Sequence, residues 1–221
     1  MFREISKGVY MGVPMTPVDE HSLKVLIKVG KLPANTRHTL RFSTWKDVPS
    51  LKPVRDYAFD YAQDGVSANQ AGHVDIFCHP FLTLLGPPGT GKTHLALAIA
   101  WSWLEAVRKT VAYTQVEDML GSLRGMIGAE HRTAGQDLET EIHFLSNCSL
   151  LILDDLGVRE LTDWGAGVID RIIDHRYIHC MHTVVTSNVG PASFPPRTAS
   201  RLAEGKTFVL DAPDFRLRKG Q

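Results

Sequence analysis

The amino-acid sequence predicts an α/β fold, in which a parallel β-sheet is covered by helices on both faces. Three observations lead to this prediction. Short apolar runs have the length of buried strands, helical patterns separate these runs, and the first run ends in a glycine-rich loop that opens a long helix. A chain of 221 residues has room for one such domain with a small appendage.

The composition is typical of a soluble globular protein, because 43% of the residues are apolar and 22% are charged. No apolar run reaches the roughly 18 residues that a membrane span needs, and the N-terminal residues lack the pattern of a signal peptide. The 24 basic residues balance the 24 acidic ones, so any binding to nucleic acid depends on a local patch.

Three widely spaced cysteines, Cys78, Cys148 and Cys180, argue against a disulfide framework and against a zinc site. We expect a cytoplasmic protein without membrane attachment.

Residues 1–37 differ from the rest of the chain and are predicted to form an N-terminal appendage, too short to own a core. They contain one helical pattern, with Thr16 as its cap, Pro17 in the first helical position and Gly30 at its end. This appendage is a candidate for docking a partner. Residues 38–221 are predicted to form the main domain.

The strands of that domain are predicted from apolar runs bounded by turn residues. They are FLTLLG at Phe81–Gly86, VAYTQV at Val111–Val116, SLLILDD at Ser149–Asp155, TVVTSN at Thr183–Asn188 and, as a fifth candidate, KTFVLD at Lys206–Asp211. Helices are predicted over residues 92–107, 117–127, 134–146 and 162–178. The first of these helices is apolar nearly all round, which is typical of a buried helix.

The segment GPPGTGKT fits the phosphate-binding pattern GxxxxGK[ST] at every fixed position. Its glycines let the backbone wrap closely around phosphate oxygens, so that amides and the helix N-terminus face the anion. Lys92 is expected to reach the terminal phosphates, and Thr93 to place its hydroxyl on Mg²⁺. The expected nucleotide contacts are Gly86, Pro87, Pro88, Gly89, Thr90, Gly91, Lys92, Thr93 and His94. The structural alternative is a glycine turn that only caps the helix.

Two carboxylates, Asp154 and Asp155, follow the most apolar predicted strand. Burying them costs several kcal/mol unless a cation or hydrogen-bond donors compensate. We assign Asp154 to the magnesium site and Asp155 to polarising the attacking water, with a pair of loop-capping acids as the alternative. If TVVTSN lies between the strands that start at Phe81 and Ser149, then Asn188 faces the same crevice and can orient that water. The alternative for Asn188 is a strand-end turn.

The phosphate loop, LLILDD and TSN, in this order, resemble an AAA+ ATPase, which has a P-loop NTPase fold. In more detail, GPPGTGKTHLA, SLLILDDLG, LTDW, RYIHCMHTVVTSN, SRLAEGK and DFR are similar to the DnaC/IstB-type group of helicase loaders and transposition helpers. The similarity covers about residues 38–221. It implies ATP with Mg²⁺ as ligands, hydrolysis of ATP, assembly into a homo-oligomer, and a replicative helicase as partner. A transposase is the alternative partner.

The resemblance also assigns roles to polar residues near the strand ends and the C-terminus. Asn188 matches sensor 1, Arg201 matches the arginine finger that serves the nucleotide of a neighbouring subunit, and Arg216 matches the sensor-2 arginine. A planar, permanently charged guanidinium suits this task, because it stabilises charge that builds on the γ-phosphate. Arg197 is an alternative finger, and a solvated surface arginine is the structural alternative for Arg201.

One residue leaves the activity more open. Many relatives of the group carry glutamate where this chain has Asp155, so a nucleotide-gated binding module with little hydrolysis is a further hypothesis. A small-molecule kinase is another, although no acceptor pocket is evident in the sequence. Trp45 is expected either in the core or near the adenine.

The same group places an inserted helix pair against single-stranded DNA. The matching stretch, residues 117–140, offers Arg124 and Arg132. A few cations per subunit bind DNA weakly alone and add together in an oligomer. The alternative for this stretch is a solvated loop.

Overall fold

The computed structural model describes residues 2–6, 9–12, 20–46, 48–71, 80–107, 110–127 and 134–217. Within these ranges the chain forms a five-stranded parallel sheet with helices on both faces, which confirms the predicted α/β fold. A separate antiparallel hairpin consists of β1 (Phe2–Ser6) and β2 (Val9–Gly12). Among the described residues, none of the helices is both long and apolar enough to cross a membrane.

The strands of the main sheet are β3 (Phe81–Leu85), β4 (Val111–Gln115), β5 (Leu150–Asp154), β6 (His182–Ser187) and β7 (Lys206–Val209). They lie in the order β4-β5-β6-β3-β7, and each neighbouring pair is parallel. All five predicted strands are present. The strand β6 lies between β5 and β3, as the interpretation of Asn188 required, so the polar ends of these three strands meet at one edge of the sheet.

The α-helices are α1 (Glu20–Val29), α2 (Lys52–Ala71), α3 (Lys92–Val107), α4 (Val116–Met126), α5 (Ala134–Asn147), α6 (Asp163–Ile178) and α7 (Pro196–Ala203). The four helices α3 to α6 match the predicted helices within a residue or two. Thr162 caps α6, since its hydroxyl accepts a hydrogen bond from the backbone N–H of Gly165 at 3.2 Å. Helices α2 and α7 had no counterpart in the sequence prediction.

The sheet separates two apolar clusters. Leu150 and Ile152 point to the face that α1, α2 and α3 cover, whereas Leu151 and Leu153 point to the face that α4 to α7 cover. This alternation follows from the two-residue period of a strand. The apolar residues of α3 from Leu95 to Leu104 are buried, as its apolar sequence predicted.

The first helix packs on the main domain. Gly30 follows its end, as predicted, but the helix begins at Glu20, and Thr16 and Pro17 lie outside the described residues. The carbonyl of Gly30 accepts a hydrogen bond from the N–H of Tyr113 at 2.9 Å. A Cβ at Gly30 would lie 1.8 Å from the carbonyl oxygen of Val111, so this close approach requires glycine. The division into residues 1–37 and 38–221 stays a prediction.

Two of the three cysteines lie in the part of the chain that the structure describes. Cys148 is buried and Cys180 is exposed, and these two do not form a disulfide with each other. Cys78 lies outside the described residues.

Candidate nucleotide-binding site

The loop between β3 and α3 has the backbone of a phosphate cradle. Gly86, Gly89 and Gly91 all have positive φ angles, of 143°, 78° and 98°. A Cβ at Gly91 would lie 2.6 Å from the Trp45 ring, so a larger residue would strain the backbone and clash with that ring. The loop leads directly into the N-terminus of α3, where unpaired backbone N–H groups favour an anion.

Lys92 lies inside this loop. Its ammonium group donates to the carbonyl oxygens of Gly86, at 2.7 Å, and Pro87, at 2.8 Å. Burial lowers the pKa of Lys92, and the nearby charges of Asp155 and Asp154 oppose that shift. The ammonium group thus places a positive charge at the loop, where it can attract a bound anion.

Asp154 is 1% exposed and accepts hydrogen bonds from three hydroxyl groups. Thr93 Oγ1 lies 3.0 Å from Oδ1 and 3.2 Å from Oδ2, Thr186 Oγ1 lies 2.5 Å from Oδ1, and the Tyr113 hydroxyl lies 2.8 Å from Oδ2. These donors come from α3, β6 and β4. No ion pair with a lysine, arginine or histidine joins them within the part of the chain that the structure describes. The site is thus a buried anion held by neutral oxygens.

Asp155 turns sharply out of β5, with a φ angle of 60° in the left-handed region. Its N–H donates to Thr186 Oγ1 at 3.0 Å, and its Oδ1 accepts from the Asn188 amide at 3.2 Å. Burial, together with the charge of Asp154, raises the pKa of Asp155. A carboxylate with a raised pKa is a better proton acceptor, which suits a group that activates water.

A cavity of about 620 Å³ joins these groups to a wall formed by residues 39–46. In that wall, the ring of Trp45 stands edge-on to the ring of His94, with 5.1 Å between centroids. His94 Nε2 lies 2.8 Å from the carbonyl oxygen of Arg41 and so donates to it. Burial lowers the pKa of His94, which favours the neutral form of the ring. Trp45 therefore lines the cavity beside the phosphate loop.

The C-terminal segment completes the cavity. The N–H of Phe215 donates to the carbonyl oxygen of Gly89 at 3.1 Å, and Arg216 lines the same space. Asp214 accepts a hydrogen bond from the N–H of Arg216 at 2.8 Å. The structure thus brings together the phosphate loop, Asp155, Asn188 and Arg216 around one cavity.

The two candidate finger arginines lie elsewhere, on α7. Arg201 Nε is 3.3 Å from Asp174 Oδ1, and its guanidinium stacks over the ring of Tyr177 at 4.2 Å. Arg197 pairs with the other oxygen of Asp174 at 2.5 Å. Neither arginine lines the nucleotide cavity of its own chain. The role of Arg201 in a neighbouring subunit stays a prediction.

The candidate DNA contacts are only partly described. Arg124, on α4, lies over the ring of Trp164 at 5.4 Å and donates to Thr162 Oγ1 at 3.1 Å. Arg132 lies outside the described residues. Binding of DNA by this stretch stays a prediction.

Sequence reasoning missed two residues of the site, Tyr113 and Thr186. Both lie within predicted strands, but no motif marks them. A usable signal was available: each hydroxyl lies within two residues of the end of a strand that flanks the Asp154 strand, and residues near these ends share one edge of the sheet.

Comparison with known proteins places the chain among ATP-binding proteins. The model of the IstB-like ATP-binding protein family matches residues 18–194. The replicative helicase loader DnaC of Buchnera aphidicola subsp. Acyrthosiphon pisum is 30% identical over 104 residues, or 47% of this chain and 41% of its own length. DnaC of Escherichia coli strain K12 is 34% identical over 91 residues, or 41% of this chain and 35% of its own length. An ATP-binding protein of insertion sequence IS21 from Pseudomonas aeruginosa is 32% identical over 151 residues, or 66% of this chain and 54% of its own length. The chain thus spans about half of these relatives or less.

Solved structures agree with the fold. A DnaC helicase loader superposes with a TM-score of 0.65 at 21% identity, covering 79% of this chain and 98% of that one. A replication initiator DnaA bound to AMPPCP and single-stranded DNA superposes with a TM-score of 0.66 at 14% identity, covering 79% of this chain and 50% of that one. The sheet order and the phosphate loop are therefore those of a P-loop AAA+ fold. Since the family model matches residues 18–194, which is most of the chain, this chain belongs to the IstB-like ATP-binding proteins.

Proposed function

We propose that this protein is an ATPase that assembles with copies of itself and acts on a DNA-bound partner, namely a replicative helicase. One observation carries the ATPase part of the proposal. Lys92, Asp155, Asn188 and Arg216 come from four separate segments of the chain and line one cavity, directly beside the buried Asp154. Charged and amide groups that converge on a phosphate loop in this way can bind a nucleoside triphosphate and hydrolyse it.

The residues beside the phosphate loop fit Mg²⁺. Asp154 is a buried anion surrounded by hydroxyl groups, and hard oxygen donors of this kind are those that Mg²⁺ takes. In the described residues no cluster of three or more histidine, cysteine or acidic side chains could hold a metal alone. Asp154 and Thr93 would therefore hold the ion together with phosphate oxygens and water. When bound, Mg²⁺ supplies positive charge at the terminal phosphates.

The chain's own groups have distinct tasks in this proposal. Lys92 and Arg216 bind phosphate oxygens and balance their charge. Asp155 accepts the proton of the attacking water, and the Asn188 amide holds the Asp155 carboxylate in place. Arg201 of a neighbouring copy completes the site, which makes hydrolysis depend on assembly.

Mixing two inactive variants tests both the ATPase and its assembly. Lys92→Ala is expected to abolish ATP binding, and Arg201→Ala to lower phosphate release by about 10³-fold or more, as arginine fingers do elsewhere. An equal mixture is expected to recover activity, because Lys92→Ala subunits still supply Arg201. The matched controls are Lys28→Ala, on α1, and Arg171→Ala, whose arginine pairs with Glu139 on the exposed surface.

Two results would contradict parts of the proposal. Unchanged ATP binding in Lys92→Ala would contradict the assignment of the nucleotide site to this loop. Normal phosphate release by Arg201→Ala, with no gain on mixing, would contradict a site shared between subunits. It would indicate instead that each monomer hydrolyses ATP alone. A protein that binds Mg·ATP but releases phosphate no faster than its Asp154→Ala variant is instead the nucleotide-gated binding module.

A transposition helper is the second candidate function. The observation in its favour is that the IS21 relative aligns over 151 residues, compared with 104 and 91 residues for the two DnaC proteins. Affinity capture in the presence of ATP, with Lys92→Ala as control and mass spectrometry as readout, separates the two candidates. ATP-dependent recovery of a hexameric helicase supports the loader, and recovery of a transposase contradicts it.

A further inference from the structure

The carboxylate of Asp154 is anchored from both sides of its strand. In the register of the sheet, Gln115 of β4 lies directly opposite Asp154, so Tyr113, two residues earlier, faces the same side of the sheet. The Tyr113 hydroxyl donates to Oδ2 at 2.8 Å, and the Thr186 hydroxyl on β6 donates to Oδ1 at 2.5 Å. Each oxygen of the carboxylate therefore has one donor from a neighbouring strand.

The third donor, Thr93, differs from these two. It belongs to the phosphate loop, lines the cavity, and is the hydroxyl that a magnesium ion would recruit. If Thr93 served a bound Mg²⁺, Tyr113 and Thr186 would be the donors that still fix the plane of the carboxylate. Thr186 also accepts the N–H of Asp155, so it has a second task in the turn; the phenolic hydroxyl of Tyr113 donates to Asp154 and also has the Gln115 side chain beside it.

Tyr113 is itself held in position. Its backbone N–H donates to the carbonyl of Gly30, at the end of α1, and its ring packs against the apolar cluster around α3. A tyrosine hydroxyl is protonated near neutral pH and can therefore donate to the carboxylate. A rigid ring on an edge strand thus delivers one hydrogen bond to one oxygen of Asp154.

We propose that Tyr113 is a positioning residue, whose hydroxyl orients Asp154 for Mg²⁺ and thereby sets the magnesium concentration at which the nucleotide binds. The inference rests on the proposed function, because it assumes that Mg·ATP binds in this cavity. Groups that orient a metal ligand commonly change metal affinity by 10- to 100-fold when removed.

The test compares two variants that each lose one phenolic hydroxyl. Tyr113→Phe removes the donor to Asp154. Tyr61→Phe removes a buried hydroxyl that donates to the carbonyl oxygen of Pro80 at 2.6 Å, at the opposite end of the strands. Calorimetry with a non-hydrolysable ATP analogue, at increasing Mg²⁺ and in EDTA, reports the magnesium dependence directly and needs no turnover.

For Tyr113→Phe, we expect the half-saturating Mg²⁺ concentration to rise about tenfold or more, while affinity in EDTA stays within about twofold of the unaltered protein. Tyr61→Phe is expected to show the normal Mg²⁺ dependence. Equal Mg²⁺ dependence in the two variants overturns the inference. So does a loss of nucleotide affinity for Tyr113→Phe that is the same in EDTA as in Mg²⁺, since that loss indicates a purely structural role.

Two further readings keep the test decisive. If Tyr113→Phe does not fold, Thr186→Val removes the donor on the other oxygen, and normal Mg²⁺ dependence in that variant overturns the inference. If the unaltered protein binds no Mg·nucleotide, the proposed function itself fails. Normal binding by the unaltered protein with an unshifted Tyr113→Phe contradicts only the role of Tyr113.

Discussion

The two ends of the central sheet each bury a charged side chain, and they satisfy it in different ways. At the carboxyl end of the strands, Asp154 is 1% exposed and accepts hydrogen bonds from the hydroxyls of threonine and tyrosine. At the amino end, Arg176 on α6 is 0% exposed. Its guanidinium donates to Thr183 Oγ1 and to the backbone carbonyls of Leu145, Ser146, Cys148 and His182.

The partners of Arg176 are mainly fixed backbone groups. They belong to the end of α5, the turn into β5 and the start of β6, so one side chain joins three segments. Burial and the charge of Arg176 lower the pKa of the adjacent His182 to about 4, which keeps that ring neutral. Because the donors of Arg176 are directed at the protein's own acceptors, the buried charge at this end of the sheet stabilises the fold.

The partners of Asp154 are hydroxyl groups, which can turn from one acceptor to another, and one of them lines the cavity. A buried charge that only stabilises a fold can therefore be told from one prepared for a ligand. A charge satisfied by fixed carbonyls has no partner to exchange, whereas a charge satisfied by rotating hydroxyls can exchange one of them for an ion.

The largest effect is expected when Arg176 is replaced. Arg176→Met keeps the bulk of the side chain but leaves several buried carbonyls without a donor, each at a cost of about 1–3 kcal/mol. We expect the free energy of unfolding, measured in urea, to fall by at least about 3 kcal/mol. The matched control is Arg171→Met, which breaks an exposed pair with Glu139 and is expected to cost about 1 kcal/mol or less. Equal losses in the two variants would show that the burial of Arg176 contributes nothing.

Asp154→Asn is expected to separate stability from function at the other end. The amide has almost the same shape and removes a desolvated charge, and the neighbouring hydroxyls can turn to meet it. We expect the free energy of unfolding to change by about 1 kcal/mol or less, while affinity for Mg·ATP, measured by calorimetry, falls at least tenfold. A large loss of stability in this variant would mean that Asp154, like Arg176, mainly stabilises the fold.

The smallest effect is a dependence on pH at Asp155. Its pKa is raised in the folded chain, chiefly by burial and then by Asp154, so the folded state binds the proton more tightly than the unfolded state. Ionisation of Asp155 therefore costs stability as the pH rises from the ordinary carboxyl range through its raised pKa. Asp155→Asn removes that cost and is expected to gain stability relative to the unaltered protein as the pH rises above the ordinary carboxyl range, by a small amount because solvent screens a partly exposed carboxyl group. Urea unfolding at several pH values measures the difference, and a difference that does not vary with pH contradicts the assignment.

Strong local patterns account for the part of the fold that the sequence predicts. The strands around Leu84 and Ile152 are continuous apolar runs, and α3 is apolar on every side, so periodicity and length identify them. The helix α2 was missed because small residues form much of its buried face. Ala58 and Ala62 are both fully buried, yet alanine gives little hydrophobic contrast in a sequence.

The candidate site likewise contains some residues that local sequence patterns predict and others that they do not. Gly86–Thr93, Asp154 and Asp155 lie in motifs whose chemistry dictates the spacing, and these residues lie together in the structure. No motif marks Tyr113, because its contribution is one hydrogen bond between neighbouring strands that depends on their register; only its position near the end of a strand could have indicated it. The packing of Phe215 on the phosphate loop likewise depends on the path of a C-terminal segment that has no periodic pattern.

The left-handed backbone at Asp155 limits which side chains can stand there. Asparagine, aspartate and glycine adopt this conformation at little cost, whereas longer side chains adopt it less readily. Exchange of Asp155 for glutamate would lengthen the carboxylate by one methylene group and would place a longer side chain in a backbone conformation that it adopts less readily. Directed evolution of a faster variant should therefore find paired changes, in which residue 155 and the turn that follows it mutate together.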